Sequence, residues 1–199
     1  METLLRFGSF LDRWIVRIGK IAAWSSLALI AVIIFDVITR RFLVLGSTKL
    51  QELEWHIHTV LFMFCLGFAY MKDAHVRIDL VRERLGERTQ WWIELIGCVL
   101  FLAPYCIIVL YFGVDWWDRS FEVNETSDSA TGLPYRWLIK AVLPLAFIVL
   151  LTSAIAMSIR KIIELFGPVE LRRRVIAEEK QKFERLDRLD ASKLDIKDD

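Results

Sequence analysis

Residues 51–80 read QELEWHIHTVLFMFCLGFAYMKDAHVRIDL, from Gln51 to Leu80. An acidic, aromatic entry (Glu52, Glu54, Trp55, His56, His58) leads into an uncharged run. That run empties into the alternating charged string Asp73, His75, Arg77, Asp79. The run from Trp55 to Met71 is 17 residues long; at about 1.5 Å per residue a helix of that length just reaches across a hydrocarbon layer of about 30 Å. The stretch therefore reads as one membrane crossing with both of its polar collars, and its shortness calls for packing against a neighbour.

The rest of the chain extends this reading. Of 199 residues 55% are hydrophobic, and the mean hydropathy is +0.41, which suits a membrane protein and not a soluble surface. Cys65, Cys98 and Cys106 all fall in apolar runs, where a free thiol behaves as a small hydrophobe, and no disulfide is expected. Crossings are expected near residues 21–38, 55–71, 91–117 and 138–159. Trp91 with Trp92 and Trp116 with Trp117 bracket the third at the two headgroup levels. Pro104 stands within that third run, where it is expected to kink the helix. Thr48 and Gln51, three apart, have the spacing of a capping box and predict a helix start near Thr48.

Residues 1–20 place Leu4, Phe7, Leu11, Trp14 or Ile15, and Ile18 on one helical face, with most of the cations elsewhere. An interfacial amphipathic helix is expected, the bland alternative being a plain cytoplasmic lead-in; a cleaved signal peptide is not expected. The expected architecture is all-α: the interfacial helix 1–20, a four-helix transmembrane domain 21–160, and a charged cytoplasmic tail 161–199 whose first part is a solvated helix.

Charge sets the orientation. Lys and Arg number 20 in alternate flanking segments against 5 in the others, so both termini and the Asp73–Asp79 string are expected in the cytoplasm. The Gln51, Glu52, Trp55 collar and the acidic loop 118–137 then face outward. Asp36, Asp115 and Lys140 fall at similar depth near the outer ends of their crossings, where ion pairing among them is expected in preference to a transport site.

Signals for chemistry are sparse. No phosphate-binding glycine loop, dinucleotide turn or cysteine cluster occurs. His56 and His58 point about 200° apart on a helix and cannot chelate one metal. His75 lies at the opposite membrane face, so a haem between helices has no second ligand. No cofactor, metal site or nucleic-acid partner is implied.

QELEWHIHTVLFMFCLGFAY followed by DAHVRIDL resembles the DctQ-type small membrane subunit of tripartite ATP-independent periplasmic (TRAP) transporters. The match lies in the Glu-containing collar and in Asp73, His75, Val76, Arg77 and Asp79. GLPYRWLIKAVLPLAF, from Gly132 to Phe147, is a second similarity, and the resemblance as a whole spans roughly residues 20–160. The resemblance implies four crossings and a non-enzymatic scaffold in the inner membrane. Its partners would be a large DctM-type membrane subunit that carries the substrate and ion sites, and a periplasmic substrate-binding protein delivering an organic acid. It also implies that Gln51, Glu52, Trp55, Asp73, His75, Arg77 and Asp79 lie at partner contacts. A stand-alone small transporter and a membrane anchor for a redox complex are the competing classes; the first expects a midplane acid, and Asp36, Glu94 and Asp115 are all terminal.

Overall fold

The computed structural model describes residues 1–42, 46–72 and 85–178. The string Asp73, His75, Arg77, Asp79 and the end of the tail lie outside the described residues. Among those described the chain is all-helical: α1 Glu2–Phe42, α2 Thr48–Met71, α3 Glu87–Ile96, a π-helical turn Gly97–Leu102, α4 Ala103–Glu122 and α5 Trp137–Phe166. Residues 169–178 are helical as well. Three helical rods are long and apolar enough to cross a membrane: α1, the continuous rod Glu87–Glu122, and α5. α2 has the length, at 24 residues, but its first third is the polar collar.

α5 is the axis of the bundle. It packs against α1, α2, α3, the π turn and α4, and it buries Ala146, Ser153, Ala154 and Ala156. Small side chains let helix backbones approach closely, which matters where no hydrophobic effect separates helix from lipid. The Ser153 hydroxyl donates to Val149 O at 2.9 Å and to Gly67 O at 3.3 Å. Gly67 is the point where α2 meets α5: an added Cβ would stand 3.0 Å from both Ser153 Oγ and Val149 Cγ1. The small residue in the short crossing is thus used inside the chain's own bundle.

α1 runs without interruption through Lys20, so residues 1–20 and the apolar run after them form one rod of 41 residues, about 60 Å long. Over its first half the buried positions are Gly8, Asp12, Ile15, Gly19 and Ala22, a seam of alternating four- and three-residue steps, and Asp36 is buried further along. Leu4, Phe7 and Trp14, the expected apolar face, are exposed, while Leu11 and Ile18 pack at the edge of the core around Ile15, Met71, Val149 and Ala156. Periodicity located the apolar stripe, but close packing selected the small residues beside it. A Cβ at Gly19 would collide with the Phe68 side chain of α2, and one at Gly8 would meet Ile159 of α5.

Two local expectations change. The helix does start at Thr48, but Ser47 is the N-cap, in extended backbone with no side-chain cap bond. The Ser47 carbonyl takes the amides of Leu50 (3.1 Å) and Gln51 (3.3 Å), and the Thr48 hydroxyl accepts instead from Thr131 across the bundle at 3.2 Å. Upstream of Pro104 the rod widens into the π turn Gly97–Leu102. Proline has no N–H to give and its ring crowds the carbonyl four residues back, so a wider turn absorbs the mismatch within one continuous rod.

These contacts predict that Gly19→Ala lowers the stability of the detergent-solubilised chain by about 1–3 kcal/mol through overpacking. Gly97→Ala, with nothing within 4 Å of the added Cβ, should leave it unchanged or slightly higher; thermal unfolding followed by helix signal measures both.

Candidate functional site

The bundle has two polar ends. One, the loop end, is built from the start of α2 and the α4–α5 connection. Helix α4 stops in a defined way: Asn124 takes a left-handed conformation (φ 46°). Its amide donates to Phe121 O and the Glu125 amide to Ser120 O, both at 3.0 Å. These two bonds close the helix C-terminus, a role Asn fills more readily than most residues. The loop then folds back on itself through Arg136 N–H to Glu125 O (2.8 Å) and Ser127 N–H to Leu133 O (3.2 Å).

Glu52 fills the turn so made. Its carboxylate accepts from the Leu133 amide at 2.6 Å and from the Ser127 hydroxyl. Gly132 is needed at this crossing, because a Cβ there would collide with Ser127 and stand 2.7 Å from Glu52 Oε1. The Leu133 amide and then the Ser127 hydroxyl hold the Glu52 carboxyl below its usual range. Tyr135, two residues on, has φ 61°, a strained conformation for an aromatic residue, imposed by the backbone bonds on either side of it.

A second carboxylate anchors the other side of the loop. Glu125 takes the Lys140 ammonium, and Arg136 lies 3.8 Å away. Lys140, first, with Arg136 among the lesser causes, lowers the Glu125 carboxyl. Arg136 itself is raised, chiefly by Asp128 at 2.8 Å. Trp137 Nε1 donates to Asn124 Oδ1 at 3.2 Å, and the Trp137 ring meets Phe121 edge-on.

The expected pairing among Asp36, Asp115 and Lys140 is not the arrangement found. Asp36 takes Arg40 and Asp115 takes Arg119, each one turn away on its own helix. Lys140 goes to Glu125 and lies over the Trp116 ring at 4.4 Å from its centroid. A partner at i+4 is reached without bridging helices, and so it wins. Gln51 is partly buried in the first turn of α2, Trp55 is exposed, and His56 Nδ1 contacts the Glu52 carbonyl. Among the described residues no three His, Cys, Asp or Glu side chains gather where a metal could sit.

The other, terminal end was not legible as a cluster. Arg160 pairs with Asp12 of α1. Lys161, 2% exposed, lies 3.0 Å from Glu94 of α3 and 2.9 Å from Glu164, which is itself fully buried. Tyr70 and Cys98 are hydrogen-bonded at 2.7 Å, joining α2 to the π turn, and Trp92 meets Phe166 edge-on. In sequence Arg160 and Lys161 mark only the end of an apolar run. The available signal was Glu94, an acid two residues after a tryptophan pair and directly before an uncharged run of 20 residues.

Two outcomes follow from this geometry. Because the folded-state Glu52 and Glu125 carboxyls lie below the ordinary glutamate value of 4.5, their hold on the loop is complete above that pH and is lost as pH falls through the folded values. The protection of the Leu133 amide relative to its intrinsic exchange rate at each pH should therefore fall on acidification, and in Glu52→Ala it should already be about tenfold or more lower at neutral pH. Lys161→Ala, which strips a buried cation from Glu94 and Glu164, should cost about 3–5 kcal/mol in thermal or denaturant unfolding.

Comparison with curated proteins finds no match. The family model for tripartite ATP-independent periplasmic transporters, DctQ component, matches residues 29–164, from the second half of α1 to the Lys161–Glu164 pair of α5. A non-enzyme family of membrane components accounts for apolar rods with polar ends, and the chain belongs to the DctQ family, the small membrane subunit of TRAP transporters.

Proposed function

We propose that the chain is the fixed scaffold of a secondary-active transporter that takes up an organic acid, driven by an ion gradient. It pairs with a large DctM-type subunit in the inner membrane and receives solute from a periplasmic substrate-binding protein. In this reading it crosses four times with both termini cytoplasmic, α2 being the short fourth span held between α1 and α5. The loop end then faces the periplasm and the terminal end the cytoplasm, in line with the excess of Lys and Arg there.

The observation that carries the reading is where polarity sits. Ion pairs lock the two ends, whereas the interior between them is apolar apart from small hydroxyls such as Ser153. A chain that moved solute itself would need polar or ionisable groups along a path near the midplane. A brace needs rigid ends and an outside that suits lipid and a helical partner, and α1, the π turn and α4 expose Trp24, Ile30, Phe101, Ile107 and Phe112 in that way.

The Glu52 collar, Trp55 and the loop 123–136 make the surface for the substrate-binding protein, stiffened so that docking costs little ordering. The string Asp73, His75, Arg77, Asp79 makes the cytoplasmic contact with the large subunit. Co-expression with the large subunit should give copurification and solute uptake only when both are present. Arg77→Glu should reduce copurification severalfold, and Glu52→Ala should weaken solute delivery while copurification holds. Uptake by this chain alone in vesicles would overturn the scaffold reading.

A further inference from the structure

We propose that the face of α1 carrying Arg13, Arg17 and Lys20 is a binding surface for the phosphate headgroups of anionic phospholipids. The three cations are four and three residues apart, so they stand one above another on one side of the helix. All three are exposed. They lie away from the buried seam Gly8, Asp12, Ile15, Gly19, Ala22, whose direction is fixed by Ile159, Arg160 and Phe68. Among the described residues no carboxylate pairs with them: Asp12, the acid beside them, is turned inward and taken by Arg160.

Depth makes this arrangement informative. Gly19 packs on Phe68, one turn before the end of α2 at Met71, and Ile15 shares a core with Met71 and Ala156. The helix therefore stands in the bundle here, and its cations start at the terminal edge and climb about two turns into the apolar layer. Helical side chains lean toward the N-terminus. In α1 that direction is back toward the headgroups, so each cation reaches up to phosphate level by snorkelling.

The aromatic residues around them favour lipid over a protein partner. Trp14 and Trp24 are exposed on the same rod, Phe10 meets Trp14 edge-on, and Arg17 lies 5.8 Å from the Trp14 ring centroid. Indole and guanidinium together are the chemistry of the headgroup belt. An acidic helix docking here would have to carry its own carboxylates below that belt. All three cations precede residue 29, where the family match begins, so this surface is additional to the shared scaffold. The inference rests on the scaffold reading only in assigning this end to the cytoplasmic leaflet.

The test is native mass spectrometry of the detergent-purified full chain, titrated with phosphatidylglycerol or with phosphatidylcholine of the same acyl chains. Phosphatidylglycerol should be retained preferentially, and Arg13→Gln with Arg17→Gln and Lys20→Gln should weaken its binding about tenfold or more. The lysine variants of Arg13 and Arg17 should keep the preference, as should Arg172→Gln with Arg173→Gln and Arg174→Gln. Circular dichroism on each variant checks that the helices persist. Equal retention of the two lipids by the unaltered chain, or an unaffected triple glutamine variant, would overturn the proposal. So would a triple variant that keeps the lipid preference but no longer copurifies with the large subunit, since the face would then be protein-facing. Failure of the unaltered chain to copurify with a large subunit would sink the scaffold reading and leave the lipid measurement standing.

Discussion

Arg160 and Lys161 sit side by side on α5 and leave it in different directions, about 100° apart. Arg160 goes to Asp12 on α1 and Lys161 to Glu94 on α3, with Glu164 closing the site from below. In an environment this dry an ion without its partner costs several kcal/mol. The two pairs therefore fix the axial register of three helices at once. A slide of one residue, about 1.5 Å, would separate the charges while barely changing the apolar contacts above them. Gly19 against Phe68 and Gly67 against Ser153 and Val149 then seat α2 on α1 and α5, because a position without a side chain lets the neighbouring helix approach closely.

At the loop end carboxylates again supply the fixed points, though the medium is wetter and the partners are backbone and hydroxyl groups. Glu52 satisfies an amide that the tight turn at Leu133 would otherwise leave without an acceptor, and the strained Tyr135 survives because bonds on both sides hold it. The two ends differ in kind. One joins helix to helix across a buried site; the other joins a helix to a loop at a surface a partner can reach. The proposed scaffold role would use both, since a docking surface is firm only if the helices beneath it keep their relation to one another.

Particular residues show how far the sequence was readable. The collar at Glu52 was legible as a feature because acids clustered before an apolar run stand out, whereas its acceptor role toward Leu133 was not, since 81 residues separate the two. Asp36, Asp115 and Lys140 were legible as charges needing partners, and all three have partners, but depth along the chain says nothing about azimuth, and the arginines one turn away were nearer. On α1 the apolar stripe Leu4, Phe7, Leu11, Trp14 or Ile15, and Ile18 was legible as the apolar face of an interfacial helix, whereas its split into exposed Leu4, Phe7 and Trp14 and buried Ile15 was not. In lipid the larger apolar side chains face outward as readily as inward, and the buried seam goes to two glycines, an alanine, one isoleucine and one paired aspartate.

Sequence by itself determined the helical class, the membrane setting, the start of α2 near Thr48 and the family, because hydropathy, turn residues and short motifs act over neighbouring residues. Tertiary structure alone decided that α5 is the axis, that Lys161 and Glu164 are buried, that residues 1–20 continue the first crossing's rod, and that Glu52 holds the α4–α5 loop. Those facts depend on which faces meet. In a membrane the choice among faces is made by close packing and by the need of each buried charge for a partner, and hydropathy along the chain marks neither.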